Sequence, residues 1–533
     1  MRLTELMLPF AVFLTSREAI AGVTMIAISA VRSAAYLSLL VALSVHATVD
    51  QPGTLDPFFA TASPLGAGKL VTPPIATGPD IANAMAVQAD GKIVLAGRCH
   101  NGAGYDFCAY RYNDNGTLDT SFGSTGKLLT IIGAVADTDV ANAVAIQPDG
   151  KIVLAGQCAA SGATDFCAIR HNANGTLDVG FGTSGVVITA VGTSYDYVNG
   201  LALQPDGKLV LAGACYVGAT NIDFCAVRYN ANGTLDSSFG TGGKITTAIG
   251  TGDDIATAIA VQPDGKLVLS GSCFGAVSMD FCAARYNTNG TLDTTFNGSG
   301  KVITAFSADT DEARGLVVQP DGKLVLAGSC TTSASAYLCA LRYRTNGTLD
   351  TSFGGTGKVV TAISAPGGDD IGNALVLQPD GKLIQAGRCD GSGGDFCALR
   401  YHPNGVLDTS FGTGGKVITA VSGASGSDNA KALVLQADGK LLLAGYCPGT
   451  GGDNFCALRY DGGPFGYQNC KPDLDGDGHN TATVDGLIYM RVMLGITGTA
   501  VVNGITFPAG ATRNTWSLIR DHLVTQCGMS LMQ

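Results

Sequence analysis

Fourteen of the sixteen cysteines fall into seven close pairs: Cys99/Cys108, Cys158/Cys167, Cys215/Cys225, Cys273/Cys282, Cys330/Cys339, Cys389/Cys397 and Cys447/Cys456. Thiols this close can form a disulfide, exchange electrons or hold a metal. A structural zinc needs four ligands, and no histidine recurs beside the pairs, which argues against a metal at each. An even cysteine count behind a leader-like N-terminus points instead to disulfides formed in an oxidising compartment. Seven local bridges are expected, each closing a loop of about ten residues and contributing roughly 2–3 kcal/mol less any strain. Cys470 and Cys527 remain and are expected to pair with each other.

Two sets of carboxylates could bind cations. Asp80, Asp139, Asp196, Asp254, Asp311, Asp370 and Asp428 recur, each ten residues before a turn aspartate. In a closed ring they would form a circle of carboxylates near one mouth, steering or binding cations. Alternatively, each accepts backbone hydrogen bonds in its own loop, as short acidic side chains do in turns. The second set is Asp473, Asp475, Asp477, His479 and Asp485. Acidic residues at positions 1, 3 and 5 with Gly478 at position 6 suit an EF-hand-type loop, so one Ca2+ is expected here. The apolar run after Asp485 has helical spacing, and residues 513–525 read as a second helix. This module resembles half of a dockerin, although Asp485 stands at position 13 rather than 12 and no second loop follows.

The cysteines and the first aspartates sit in a repeat. Gln-x-Asp-Gly-Lys begins at Gln88, Gln147, Gln204, Gln262, Gln319, Gln378 and Gln436, a period of roughly 58 residues. Internal repetition of this length marks a stacked or radial architecture. Within one copy, Ala143–Gln147 is apolar and β-prone, and Pro148-Asp149-Gly150 is a hairpin turn. Lys151–Gly156, Phe166–His171 and Val186–Ala190 supply three further strands. In each copy the first cysteine is expected to end the second strand and the other to open the third, so that the hairpin sets the two opposite each other. Four short strands per copy, with no helical period, describe a propeller blade. The expected fold is therefore all-β, a seven-bladed β-propeller over residues 48–465, with a small mainly α module over 466–533. Gly-x-Leu-Asp also occurs seven times, but its first copy, Gly53–Asp56, precedes the first Gln-x-Asp-Gly-Lys, and the last repeat lacks it. The N-terminal piece from Gly53 to about Thr72 is expected to supply the outer strand of the last blade and remove the open edge.

The strings Gln-Pro-Asp-Gly-Lys, Leu-Ala-Gly, Arg-Tyr-Asn, Asn-Gly-Thr-Leu-Asp and Ser-Phe-Gly resemble the bacterial delta-60 repeat and, more distantly, NHL-type propellers. The resemblance implies an extracytoplasmic propeller and supplies no catalytic residues. Arg111, Arg170, Arg228, Arg285, Arg342, Arg400 and Arg459 recur three residues after each second cysteine. They are expected to pair with the aspartate of Gly-x-Leu-Asp, within or between blades.

The formal charge of −11 argues against nucleic acid and anionic lipid as partners. Ala34–Val45 reads as a signal-peptide core, with cleavage after Ala47 and Met25 as an alternative start. No later segment is apolar enough to span a membrane. The expectation is a secreted or cell-surface (or periplasmic) monomer. It would act as a non-catalytic scaffold for an extracellular protein or glycan. The six histidines fall at unrelated repeat positions, and no nucleophile–histidine–acid set stands out. A carbohydrate-active enzyme and a lectin-like binder, each with a site at one mouth, are the alternatives. The lectin reading lacks a tryptophan platform, since Trp516 lies outside the repeats, and it would fall to the recurrent tyrosines.

Overall fold

The computed structural model describes residues 51–463, apart from 135–136, 161, 219–220, 333–334, 366, 391–392, 423–425 and 450, and, beyond 463, residues 474–475, 484, 487–488, 491, 498–508 and 511–525. The expected signal segment 1–47 and the expected Cys470–Cys527 bridge lie outside the described residues.

Seven four-stranded antiparallel sheets form the blades of a propeller. The second blade is typical. Val140–Ile146 is innermost, followed outward by Ile152–Ala160, Ala163–His171 and Val186–Thr189. The Pro-Asp-Gly turn works because Gly150 adopts φ +81°, a conformation that side chains disfavour. Gln147 and Lys151 then close the hairpin through a 2.8 Å backbone hydrogen bond. Each innermost strand packs against the innermost strands of both neighbours, so the seven encircle an axis.

The ring closes as the order of the Gly-x-Leu-Asp copies predicts. Lys69–Val71 is the outer strand of the seventh blade, with Lys69 opposite Leu458 and Val71 opposite Cys456. The Asp56 amide donates to the Arg459 carbonyl at 2.8 Å, and the Arg459 guanidinium donates to the Asp56 carboxylate at 2.7 Å.

The core lies between blades. Phe166, Ala168 and Phe181 of the second blade meet Leu209, Leu211, Val227 and Tyr229 of the third, all buried. Each fully buried phenylalanine of this kind stabilises by about 1.5–3 kcal/mol. Alternating strand residues serve opposite junctions, so every blade is apolar on both faces. This explains why the second and third strands are almost continuously apolar rather than alternating with polar residues.

All seven expected hairpin disulfides are present: Cys99–Cys108, Cys158–Cys167, Cys215–Cys225, Cys273–Cys282, Cys330–Cys339, Cys389–Cys397 and Cys447–Cys456, with Cα–Cα distances of 5.6–5.9 Å. Two details of their placement are corrected. The second cysteine does not open the third strand but lies inside it. Cys167 falls within Ala163–His171, Cys225 within Asn221–Tyr229, Cys339 within Ser335–Tyr343 and Cys397 within Asp395–Tyr401. The third strand begins earlier than its apolar run because hairpin pairing carries it on toward the loop, through polar residues such as Thr164 and Asp165.

The paired cysteines also do not face each other directly. Cys99 is opposite Asp106, and Cys108 is opposite Gly97, so the bridge runs diagonally across two rungs. The same offset sets Cys167 opposite Gly156, Cys225 opposite Gly213, Cys282 opposite Gly271, Cys339 opposite Gly328, Cys397 opposite Gly387 and Cys456 opposite Gly445. The cause of the recurring glycine is steric. A β-bulge in each innermost strand pushes a carbonyl toward it. A Cβ at Gly97, Gly213 or Gly445 would lie 1.8–1.9 Å from that oxygen. Replacing Cys273 and Cys282 by alanine is expected to lower stability by about 2–3 kcal/mol, read as the midpoint shift in denaturant. An unchanged midpoint would show that the bridge only decorates a hairpin already fixed by packing.

Beyond the propeller, Leu474, Val484, Ile488, Val501, Ile519 and Leu523 form a small separate core. The expected helix over 513–525 begins at Trp516 and runs to Thr525. Its late start follows from Thr515, whose carbonyl accepts from Ile519 at 3.1 Å and whose hydroxyl faces the Leu518 amide, as an N-cap does.

Candidate functional site

The recurrent aspartates are buried at the blade junctions, at most 1% exposed. They bind loop amides there. Asp196 accepts from Val191 at 2.6 Å, Asp311 from Phe306 at 2.6 Å, and Asp428 from Val421 at 2.6 Å. Asp80 accepts from Ile75 at 2.8 Å and His100 at 3.0 Å, and Asp139 from Ala159 at 2.8 Å. Asp254 and Asp370 bind Ile249 and Ile363 in the same way. Six of the seven thus fasten the loop arriving from the preceding blade, whereas the Asp139 bond is to Ala159 of its own second strand. Burial pushes the carboxyls of Asp80, Asp196, Asp254 and Asp311 upward, and that of Asp139 up to about 6.

The recurrent arginines stitch neighbouring blades. The Arg228 Nε donates to Asp236 at 2.8 Å, while its Nη1 donates to the Thr288 carbonyl of the next blade at 2.5 Å. The guanidinium carbon lies 4.5 Å from the centre of the Phe239 ring. The other six arginines repeat this arrangement. Burial raises the partner carboxyls, but hydrogen bonds from the following Ser and the arginine charge outweigh it, holding Asp119, Asp350 and Asp408 down at about 2. The recurrent tyrosines are buried too. Tyr229 donates to Thr189 of the preceding blade at 2.6 Å, and Tyr460 to Thr419 at 2.6 Å. None of these is free to meet a ligand.

One junction departs from the pattern. Six outer-strand lysines reach a carbonyl of the preceding loop, as Lys244 does to Ala190 at 2.7 Å. The second blade has Val186 there, and His171 replaces the tyrosine, its Nε2 3.1 Å from the Thr130 hydroxyl. Burial pulls His171 down to about 4. For Asp139 at this junction burial acts most strongly, the Ala159 amide opposes it, and the Asp106 and Asp137 charges add to it.

The strongest asymmetry lies along the axis. The register shift in each innermost strand leaves one bulged residue per blade: Asn83, Asn142, Asn199, Thr257, Arg314, Asn373 and Lys431. A bulge re-aims its side chain. Here that side chain reaches the next blade: Asn83 donates to the Ala141 carbonyl at 3.0 Å, Asn199 to Ala256 at 2.8 Å, and Thr257 to Ala313 at 2.6 Å. Arg314 breaks the series and donates to the Asn373 side chain at 3.3 Å. Asn373 in turn donates to Asn429 at 2.9 Å and Ala430 at 2.8 Å. Arg388, on the second strand of the sixth blade, bonds Asp390 at 2.8 Å. Arg314, Arg388 and Lys431 lie on the fifth, sixth and seventh blades, toward the hairpin-tip end of the axis, the end at which the disulfide-bonded hairpins turn, and Lys431 feels the charges of both arginines. The sequence reading missed these three. Their signal was departure from the repeat: five residues before each turn glutamine, the amides and the threonine give way to arginine and lysine at 314 and 431.

The calcium expectation is corrected. Among the described residues, no group of three or more His, Cys, Asp or Glu side chains could hold a metal ion. Asp475 is buried in the small C-terminal core. Its carbonyl accepts from the Arg513 amide at 2.7 Å, and the Arg513 guanidinium bonds the adjacent Leu474 carbonyl at 3.1 Å. Asp473, Asp477, His479 and Asp485 lie outside the described residues. Among the described residues no helix is long and apolar enough to cross a membrane.

A family model described as a domain of unknown function (DUF5122) beta-propeller matches residues 88–122, 147–181, 204–239, 262–296, 319–353 and 378–411. No curated protein matches the sequence. Among solved structures, a protein of unknown function from Dyadobacter fermentans is similar at 12% identity, covering 74% of this chain and 99% of its own, with TM-score 0.38. Sqt1 from Chaetomium thermophilum is similar at 14% identity, covering 70% and 82%, with TM-score 0.39. A PL25 ulvan lyase is similar at 11% identity, covering 77% and 96%, with TM-score 0.41. Likenesses this distant carry no argument about activity. Six of the seven repeats are thus similar to the DUF5122 β-propeller repeat.

Proposed function

We propose that this chain is an extracytoplasmic, non-catalytic binding scaffold that engages its ligand at the hairpin-tip end of the propeller axis. The observation that carries this reading is a division of labour among the polar residues. The recurrent arginines and their aspartate partners are occupied with holding blades together, whereas charged and aromatic departures collect at one end of the axis. There Ile81, Val140, Ile255 and Ile371 are replaced by Tyr197, Glu312 and Asn429 in the other three blades. Seven disulfides at the hairpins support an oxidising compartment. They also stiffen the rim, which lowers the entropy lost on binding. The delta-60-like repeat accords with a secreted or surface location, with residues 466–533 as an attachment or folding unit.

The test is retention of glycans and peptides on immobilised protein, followed by mass spectrometry of the retained material. The scaffold reading expects a bound species recovered chemically unchanged. Recovery of cleaved or unsaturated products would replace it with the enzyme alternative.

A further inference from the structure

We propose that Arg314, Arg388 and Lys431 form an oxyanion subsite that recognises the carboxylate or sulfate of an acidic saccharide. This rests on the binding-scaffold reading and specifies its ligand class.

The charge count comes first. Arg314 is paired with Glu312, and Arg388 with Asp390. Lys431 has no hydrogen bond or ion pair among the described residues, although it is partly buried. Two of the three cations therefore have a carboxylate partner and Lys431 has none, in a chain whose net charge is −11. The contrast with the rest of the ring is sharp: the recurrent outer-strand lysines and blade-joining arginines all have partners. The Arg388 Nε is likewise buried without a hydrogen-bond partner. A desolvated ammonium beside two guanidinium groups is costly unless an anion sits among them. The Lys431 ammonium is pushed down, by burial first and then by Arg314 and Arg388, with Glu312 opposing. An oxyanion at this place would reverse that strain.

The neighbours argue for a sugar as the bearer of the anion. Asn373, Asn429 and Tyr446 adjoin the cations and form a chain of neutral donors and acceptors, with Asn429 donating to the Tyr446 hydroxyl at 3.2 Å. Amide and phenol groups flanking fixed cations suit hydroxyls next to a carboxylate or sulfate.

The experiment is calorimetric titration of the full chain and its Lys431→Gln and Lys431→Glu variants, with thermal melts confirming the fold. The probes are oligogalacturonate, a sulfated oligosaccharide, a neutral oligosaccharide and an oligo-aspartate peptide. We expect the charged sugars to bind more weakly as salt rises. Lys431→Gln should weaken them at least about tenfold, the loss expected for a hydrogen bond to a charged group. Lys431→Glu should abolish their binding. Galacturonate and sulfated arms then tell which oxyanion is preferred. Equal binding of charged and neutral sugars, or no loss in Lys431→Gln, would overturn the subsite while leaving the scaffold reading standing. Binding of oligo-aspartate in place of sugars would overturn the saccharide class. Turnover of a bound sugar would overturn the scaffold reading itself.

Discussion

A chain lacking residues 51–72 is expected to lose the folded monomer. The deletion removes Lys69–Val71 and leaves the third strand of the seventh blade, Gly452–Tyr460, as an open edge. An exposed edge of this kind pairs with other chains. It also removes Asp56 from the buried Arg459, whose side chain is only 3% exposed. Arg459 then keeps only the exposed Asp114 carboxylate, 2.9 Å from its Nη1, so the loss is expected below the about 3–5 kcal/mol of a buried arginine left wholly unpaired. Phe59, whose ring centre lies 4.6 Å from the Arg459 guanidinium carbon, goes with it, and so does buried Leu70. Each contributes about 1.5–3 kcal/mol by burial alone. The sum is comparable to the whole stability of a typical domain. Size-exclusion chromatography and near-ultraviolet circular dichroism should report aggregates or higher oligomers without fixed aromatic signals. A monomer melting within a few degrees of the full chain would mean that closure contributes little. The single change Asp56→Ala separates the two causes, because it removes the buried Asp56–Arg459 pair while keeping the strand.

The second large effect is expected from one methyl group. In Gly271→Ala the new Cβ would lie 1.9 Å from the Ile255 carbonyl oxygen and 2.9 Å from the Ala256 Cα. Both are backbone atoms at the bulge, so no side chain can rotate away. The innermost strand must shift, and with it the contact to the next blade. A cost of about 3 kcal/mol or more is expected, at the upper end for overpacking. Gly355→Ala is the control. Gly355 has φ +80° and open space around its Cβ direction, so it should cost only about 1–2 kcal/mol from backbone conformation. Denaturant midpoints of the two variants give the comparison. Similar shifts would remove the steric account of the recurrent glycine.

The number of blades, the four strands in each, the cysteine partners and the closing strand are all legible in the amino-acid order. All of these are written in short-range patterns: a glycine turn every repeat, β-prone runs between turns, cysteines on either side of a hairpin, and one Gly-x-Leu-Asp displaced to the front. The arginine–aspartate pairs were legible for the same reason, since partners eight residues apart recur together. The features set by the folded chain lie across the strands and around the ring. The bulge is invisible in sequence because its extra residue looks like any other strand position. It alone explains the glycine that faces Cys167, Cys225, Cys339, Cys397 and their equivalents. The diagonal of each disulfide was hidden too, because cysteine spacing reports the loop length and not the register. The recurrent aspartates were legible as important but not in direction, because a ring of carboxylates and a set of loop fasteners share one spacing. Burial against the amides of the incoming loop decided between them. Arg314, Arg388 and Lys431 belong to three different blades, and no local pattern joins them. Arg314 and Lys431 occupy equivalent bulges on innermost strands that share an axis, and Arg388 approaches from the second strand of the blade between them.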